Sequence, residues 1–212
     1  DISISDASMV EGDGSVTTTV FTVTLSAPNQ SQVTVDYSTS DGTATIADSD
    51  YLAESGTVIF APGEVSQPIT ITVSGDTKFE TDESFFVDLS NPGNGVLTKN
   101  QATGTIINDD SQPQISIDDI SQLEGDSGSK VFTFTVSLSN SSYQAVGIDL
   151  ASADDTATVI DNDYLPVSGT LIIPEGLVSV PIKVTVNGDL IVEPDEEFTI
   201  DLTNAANATL SD

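Results

Sequence analysis

Hydrophobic and polar residues alternate along most of the chain with a period of two, which is the pattern of half-buried β-strands. Val33, Val35 and Tyr37 fall on one face of such a run, and the polar residues between them fall on the other. The runs are short and are separated by residues that favour turns. They predict seven strands in the first half of the chain: Ile2–Ile4, Thr17–Ser26, Gln32–Ser38, Gly56–Phe60, Gln67–Val73, Ser84–Ser90 and Ala102–Ile107.

The second half of the chain repeats the first. Glu11 aligns with Glu124 at an offset of 113 residues, and the same offset carries Phe85 to Phe198 without a gap. Repetition of this kind indicates a repeated structural unit. We therefore interpret residues 1–110 as a first module and residues 114–212 as a second module, joined by a linker at 111–113.

The number and length of the strands predict the fold. About seven short strands in roughly a hundred residues are typical of a Greek-key sandwich. We predict an all-β protein made of two tandem immunoglobulin-like Greek-key β-sandwiches. The last residue of the second module aligns with residue 99 of the first, so we expect the second sandwich to lack its last strand and to have an open edge.

The acidic residues concentrate at one end of the predicted sandwich. Consecutive strands in such a fold run mostly antiparallel, so alternate connections lie at the same end. In the first module, the connections assigned to one end hold most of the acids, and those assigned to the other end hold only Glu64. The crowded acids are Glu11, Asp13, Asp41, Asp48, Asp50, Asp76, Glu80, Asp82, Glu83, Asp109 and Asp110.

Composition narrows the chemistry of this end. The chain has 34 acidic and 4 basic residues, a formal net charge of -30, and neither cysteine nor histidine. This charge disfavours binding to nucleic acid or to an anionic membrane, and the missing residues exclude disulfides, thiolate zinc sites and catalysis by His or Cys. Carboxylates about 5 Å apart repel by roughly 1 to 3 kcal/mol per pair.

A cation would relieve this repulsion. Ca²⁺ accepts six to eight oxygen ligands in irregular geometry, whereas Mg²⁺ demands an octahedral arrangement. The converging acids therefore predict a calcium site. The alternative is a solvated acidic surface that only maintains solubility, which would place acids at both ends of the sandwich.

Three segments of the first module resemble the Calx-beta motif. They are DGTATIADSDYLAESGTVIFAPGE at Asp41–Glu64, SGDTKFETDESFF at Ser74–Phe86 and GTIINDD at Gly104–Asp110. The resemblance covers both modules nearly end to end. The family includes cytoplasmic calcium-sensing domains of sodium–calcium exchangers and repeats of large bacterial surface proteins. It implies an immunoglobulin-like sandwich that holds calcium at its distal loops.

The resemblance also implies the ligands. In the first module they are Glu11, Asp41, Asp76, Lys78 through its backbone carbonyl, Glu80, Glu83, Asn108, Asp109 and Asp110. In the second module they are Glu124, Asp154, Asp155, which replaces the turn glycine, Asp189, Glu193 and Glu196. Gly75 and Asn108 stand where the family often has aspartates, which implies fewer or weaker ions. We expect the second site to be incomplete because the closing aspartates are absent.

Two other patterns are weaker. Asp48–Asp50 and Asp161–Asp163 resemble the start of an EF-hand loop, but the glycine at position six and the glutamate at position twelve are missing. We expect Asp50 and Asp163 to accept backbone hydrogen bonds in a tight turn instead. Paired carboxylates also serve glycosidases, but no aromatic-lined cleft accompanies them, so we do not predict an enzyme.

These observations favour a calcium-binding structural or adhesion module of a secreted or cell-surface repeat protein. Calcium would stiffen the junction between the modules. The expected location is extracellular or at the cell surface, and the expected partners are calcium ions, neighbouring repeats, and a cell-surface protein or glycan, without nucleic acid or membrane insertion. Two alternatives stay open: a regulatory Ca²⁺ sensor pair within a larger transport or signalling protein, and a lectin-like receptor-binding domain.

Overall fold

The computed structural model describes residues 1–14 and 16–211, which form β-strands and the loops between them. The chain divides into two compact units, Asp1–Asp110 and Ser111–Asp212, so the linker residues belong with the second unit. Asp212, where the second predicted module ends, lies outside the described residues. Within the described ranges there is no helix long and apolar enough to cross a membrane.

The first module is a sandwich of two sheets. One sheet has the strand order β6-β3-β1-β8 and the other has the order β2-β9-β7-β4-β5. Most neighbouring strands are antiparallel, while β1–β8 and β2–β9 are parallel pairs. The strands are β1 (Ile2–Ile4), β2 (Ala7–Val10), β3 (Val16–Leu25), β4 (Val33–Asp41), β5 (Ser55–Phe60), β6 (Ser66–Ser74), β7 (Glu83–Gly93), β8 (Leu97–Lys99) and β9 (Gln101–Ile107).

All seven predicted strands of the first module are present, and two more were not predicted. The additional strands are β2 and β8, which are short and pair only with strands far away in the sequence. Two boundaries also differ from prediction in a way that affects the acidic end. Strand β4 extends to Asp41 and β7 begins at Glu83, so these two acids lie at strand ends rather than within the loops.

Aromatic side chains fill the core of the first module close to the acidic end. Phe21 and Phe85 meet edge to face with ring centroids 5.9 Å apart. Tyr51 stacks on Phe85 at 4.5 Å and is fully buried. Complete burial of an aromatic side chain of this kind contributes about 1.5 to 3 kcal/mol, so this cluster anchors the strands that lead to the acids.

The second module repeats the architecture with fewer strands. Its sheets have the orders β14-β11-β10-β16 and β13-β12-β15. The strands are β10 (Gln114–Ile117), β11 (Ser129–Leu138), β12 (Val146–Asp154), β13 (Ser168–Ile173), β14 (Ser179–Asn187), β15 (Phe198–Ala206) and β16 (Thr209–Leu210).

Strand β15 has one free edge within the described part of the second module. Its counterpart β7 pairs with both β4 and β9, whereas β15 pairs only with β12. A groove of about 260 Å³ lies beside it, and Ile117, Ile200, Leu202 and Leu210 are among the residues that line it. Within the described residues, β9 therefore covers an edge of β7, and the corresponding edge of β15 is uncovered.

Replacing Gly104 by alanine tests the packing of the first core. A Cβ at this position in β9 would lie 2.6 Å from the Phe85 ring and 2.9 Å from the Phe21 ring. Because overpacking costs about 1 to 3 kcal/mol, we expect Gly104→Ala to lower the urea midpoint of the first module. Gly147→Ala in β12 is the matched control, since its Cβ would meet nothing closer than 3.6 Å. Equal midpoints for the two variants would contradict this packing.

Candidate metal centre

Three segments of the first module meet at one end of the sandwich: the β2–β3 loop, the β6–β7 loop and the segment after β9. Gly12 N donates a hydrogen bond to Asp109 Oδ1 at 3.1 Å, which ties the first segment to the third. Glu80 N donates to Asn108 Oδ1 at 3.1 Å, which ties the second segment to the third. The three acidic segments are therefore held together by hydrogen bonds from backbone N–H groups to the side-chain oxygens of Asn108 and Asp109.

Gly75 explains one departure from the Calx-beta pattern. A Cβ on Gly75 would collide with the backbone carbonyls of Gly12 and Glu11. In this chain the β2–β3 and β6–β7 loops approach so closely that a side chain at this position has no room. Gly188 makes the same close approach to Gly125 in the second module. The close packing of the two loops thus excludes an aspartate at this position.

Glu11 lies at the centre of this contact. The side chain is only 6% exposed, which is unusual for a carboxylate. Burial, followed by repulsion from Glu80, Asp76, Asp110 and Asp109, raises the pKa of Glu11 to about 7. The first predicted ligand of the chain is therefore surrounded by four other predicted ligands.

Asp110 contributes a buried carboxylate oxygen without a hydrogen-bond donor in the described part of the chain. Burial, followed by repulsion from Asp13 and Asp109, raises its pKa. Its Oδ2 atom is buried and has no hydrogen-bond partner among the described residues. A buried carboxylate oxygen without a donor costs free energy, and a bound cation would satisfy it. The residues present therefore fit a hard metal ion.

A neighbouring cluster joins Asp50, Glu80 and Glu83, whose carboxylate oxygens lie within 4.8 Å of one another. Burial, followed by repulsion from Asp50 and a hydrogen bond with it, raises the pKa of Glu83 to about 8. The predicted turn hydrogen bond of Asp50 is confirmed, because its Oδ2 accepts from Thr45 N at 2.7 Å. Sequence reasoning assigned Asp50 only this turn role and missed its position beside two candidate ligands.

Asp41 is held in place by a buried tyrosine of the core and does not join the other acidic residues. Its Oδ1 atom accepts hydrogen bonds from Tyr51 OH at 2.6 Å and from Ile46 N at 3.2 Å. Both bonds use Oδ1, so neither occupies Oδ2. The structure places Asp41 at the acidic end but not in the cluster of Asp50, Glu80 and Glu83.

The second module reproduces this arrangement. Asp154 Oδ1 accepts from Tyr164 OH at 2.6 Å, and Tyr164 stacks on Phe198 at 4.5 Å. The prediction for Asp163 is also confirmed, because its Oδ2 accepts from Thr158 N at 2.7 Å. The burial of the tyrosine ring therefore fixes one acid at the end of the sandwich in both modules.

Two groups of acids also gather in the second module. The carboxylates of Glu124, Asp189 and Glu193 lie within 4.8 Å of one another, as do those of Asp163, Glu193 and Glu196. Loss of hydration, and then the neighbouring carboxylates, raise the pKa values of Glu193 and Glu196. Asp155 lies exposed in the turn after β12. The described part of this module stops before the position that aligns with Asn108, so its completeness stays a prediction.

The candidate ligands are carboxylate oxygens in both modules, joined in the first module by the amide oxygen of Asn108. Such oxygens bind hard cations, and the irregular spacing of the acids suits Ca²⁺ better than octahedral Mg²⁺. Part of the resemblance-based set gathers around Glu11 and Glu80 in the first module and around Glu193 in the second, whereas Asp41, Asp154 and Asp155 lie outside these groups. Whether the backbone carbonyl of Lys78 takes part stays a prediction.

The raised pKa values predict that the calcium-free protein loses stability as pH rises. The carboxyls of Glu11 and Glu83 stay protonated in the folded state up to about pH 7 and about pH 8, while the unfolded chain releases these protons near its ordinary value of about 4.5. The folded state therefore binds more protons between these limits, and its stability falls with rising pH. We expect the melting temperature with chelator to drop by several degrees between about pH 5 and about pH 8.5.

Added calcium and the variant Glu11→Gln provide the controls for this measurement of melting temperature against pH. Saturating calcium should flatten the dependence, because an ion bound to carboxylates replaces the protons. Glu11→Gln should reduce the fall of the melting temperature with pH, because one of the two groups with a raised pKa is then gone. A melting temperature with chelator that rises or stays constant over the same range would contradict the proposed cause.

Removing the Tyr51 hydroxyl tests the anchor of Asp41. Tyr51→Phe keeps the ring stacked on Phe85 but removes the hydrogen bond to a carboxylate, a loss of about 1.5 to 3 kcal/mol. We expect a lower urea midpoint for the first module. Tyr37→Phe makes the same chemical change within β4 and should have a smaller effect. If Tyr37→Phe destabilises the protein as much as Tyr51→Phe does, the hydrogen bond to Asp41 is not the anchor.

Comparison with known proteins identifies the family. The sequence profile of the Calx-beta domain matches residues 2–111 and 108–211. Sodium/calcium exchanger 1 of mouse is 45% identical over 78 residues, which are 34% of this chain and 8% of the exchanger. The rat protein of the same name is 52% identical over 59 residues, or 28% of this chain and 6% of the exchanger. The aligned segments thus span less than a tenth of these relatives.

Solved two-domain structures also resemble the chain. The CBD12 structure from CALX1.2 is 24% identical, covers 96% of this chain and 80% of its own, and has a TM-score of 0.47. The calcium binding domain CBD12 of CALX1.1 is 21% identical, covers 97% and 79%, and has a TM-score of 0.48. At these scores the family assignment rests on the profile match alone.

These relatives correct the expected location. An extracellular or cell-surface position was predicted, but the sequence relatives are sodium/calcium exchangers, whose Calx-beta domains lie in a cytoplasmic regulatory loop. The prediction of an extracellular module is therefore wrong. The predicted family and the predicted tandem β-sandwich fold are confirmed. The chain belongs to the Calx-beta family and consists of two of its domains in tandem.

Proposed function

We propose that this chain is a regulatory calcium-binding unit of a larger protein. It binds Ca²⁺ at the acidic ends of its modules, and the resulting change in the loops affects the rest of that protein. It acts by binding and performs no catalysis. The observation that carries the proposal is Glu11, a buried carboxylate whose pKa is raised by burial and by repulsion from four other carboxylates.

The physical basis is the difference between the calcium-free and calcium-bound states. Without an ion, repulsion among Glu11, Glu80 and Asp110 opposes the backbone contacts that hold the loops together. An ion offsets the repulsion and satisfies the buried Oδ2 atom of Asp110. A ligand that binds only the folded form adds about 2.7 kcal/mol of stability at a hundred times its dissociation constant. Binding therefore changes the rigidity of three loops at once.

The sensor is favoured over the structural or adhesion module that the sequence suggested first. Both functions use the same ligands, but the sequence relatives are sodium/calcium exchangers, which supports regulation by calcium. The two functions differ in affinity: sensor sites bind at about 10⁻⁷ to 10⁻⁵ M, and extracellular modules at about 10⁻⁴ to 10⁻³ M. We propose an affinity in the sensor range. A glycan or cell-surface partner has no support among these observations and is not part of the proposal.

A calcium titration tests this function. We expect calorimetry on chelator-treated protein to show binding at micromolar concentrations, with a rise in melting temperature. Glu11→Gln and Glu80→Gln should each weaken binding by about tenfold or more in the first module, since each removes a charge from the ion's surroundings. Glu64→Gln is the matched control, because Glu64 accepts hydrogen bonds from Ala61 N and Gln67 in a turn outside the acidic end.

Two results would contradict the proposal. No heat and no change in melting temperature would mean that the acidic end is only solvated charge. Binding at about 10⁻⁴ M or weaker would exclude a sensor and favour a passive structural module.

A further inference from the structure

One of the few basic residues of the chain lies inside the acidic end of the first module. Lys78 occupies the β6–β7 loop between Asp76 and Glu80. Its Nζ atom lies 2.6 Å from Glu80 Oε1, and the two side chains are only 25% and 13% exposed. A second ion pair of this module, between Lys99 and Asp6 at 2.7 Å, has side chains that are 44% and 61% exposed. The Lys78 pair is therefore the more shielded from water.

Glu80 belongs to both acid groups of the first module. Its carboxylate lies within 4.8 Å of those of Asp50 and Glu83, and it is the strongest charged neighbour of Glu11. The charge of Lys78 also opposes the rise in the pKa of Glu83. The ammonium group thus partly neutralises the acids on which an incoming cation would depend.

The second module has the same acids without this lysine. The offset of 113 residues places Ile191 at the position of Lys78, and Ile191 is 66% exposed. Asp189 and Glu193 stand on either side of it, as Asp76 and Glu80 do beside Lys78. The chain therefore contains a natural comparison between a loop with a tethered cation and a loop without one.

We propose that the Lys78 ammonium occupies the cation position at Glu80 in the calcium-free state and lowers the calcium affinity of the first module. Lysine suits this role because its charge is compact and its stem is flexible, so the group can leave when Ca²⁺ enters. Calcium must break the Lys78–Glu80 pair and tolerate a nearby positive charge. The inference rests on the proposed function, since it concerns the affinity of that same site.

The proposal predicts effects of opposite sign for Lys78→Ile. Calcium affinity should rise, because the competing charge is gone and the backbone carbonyl is kept. The stability of the calcium-free protein should fall, because Glu80 then faces Glu11 and Glu83 without compensation. A side chain with only a structural role would lower both quantities. Lys78→Arg keeps the charge, so its affinity should stay closer to that of the parent.

The experiment uses the full chain with Asp189→Asn and Glu193→Gln, which reduce binding by the second module. Calcium affinity is measured by calorimetry at low and high salt, and calcium-free stability by urea unfolding. We expect Lys78→Ile to bind calcium roughly three to ten times more tightly at low salt, with the gain shrinking as salt screens the charge. Lys99→Ile removes the same charge from the same module and should leave the affinity unchanged.

Each outcome decides between the alternatives. Equal or weaker binding by Lys78→Ile overturns the inference and leaves the proposed function intact. A similar gain from Lys99→Ile overturns it as well, because the effect would then reflect net charge. If the parent binds no calcium, the proposed function fails and the inference fails with it. The inference is supported if Lys78→Ile binds calcium more tightly and has a lower urea midpoint without calcium. Lys99→Ile must at the same time leave the calcium affinity unchanged.

Discussion

Repulsion among carboxylates held together by backbone contacts is the constraint on which the acidic end depends. Gly75 lets the β6–β7 loop touch the β2–β3 loop, and Asn108 and Asp109 bind both loops to the segment after β9. The Gly12–Asp109 hydrogen bond uses a carboxylate oxygen and the Glu80–Asn108 hydrogen bond uses an amide oxygen, so neither needs a bound ion. The acids therefore remain close even when no ion compensates them, and the free energy of that repulsion becomes available to favour a cation.

A buried tyrosine connects the core of the first module to its acidic end. Tyr51 is buried against Phe85, and its hydroxyl holds Asp41 at the end of β4. Its backbone also bridges to Val73, just before the β6–β7 loop. The core thus contacts three segments that lead to the acids. A change at the acidic end can reach the core through these contacts, as the proposed regulatory function requires.

The two modules show how one architecture can give different electrostatics. Both place a tyrosine and an aspartate in the same hydrogen bond at 2.6 Å. They differ in the residue at the middle of the acidic loop, which is Lys78 in one and Ile191 in the other. In the first module, the exit of β9 also supplies Asn108 and Asp109 to the acidic end. Similar acids can therefore bind with different strength in the two modules.

The family and the tandem β-sandwich could be predicted because they depend on periodicity and on a long repeated motif. Strands β2 and β8 could not, since each is short and forms only through parallel pairing with a distant strand. The location was predicted wrongly, because composition reports the charge of a surface and not the compartment in which it works.

The sequence by itself determined which acids are present, their spacing in each connection and the end of the sandwich to which each connection belongs. Alternation and strand direction are enough for that. Only the tertiary structure decided that Glu11 is buried, that Asp110 Oδ2 lacks a donor and that Asp50 joins Glu80 and Glu83. Burial and charge proximity depend on contacts between loops far apart in the chain, and such contacts leave no local pattern in the sequence.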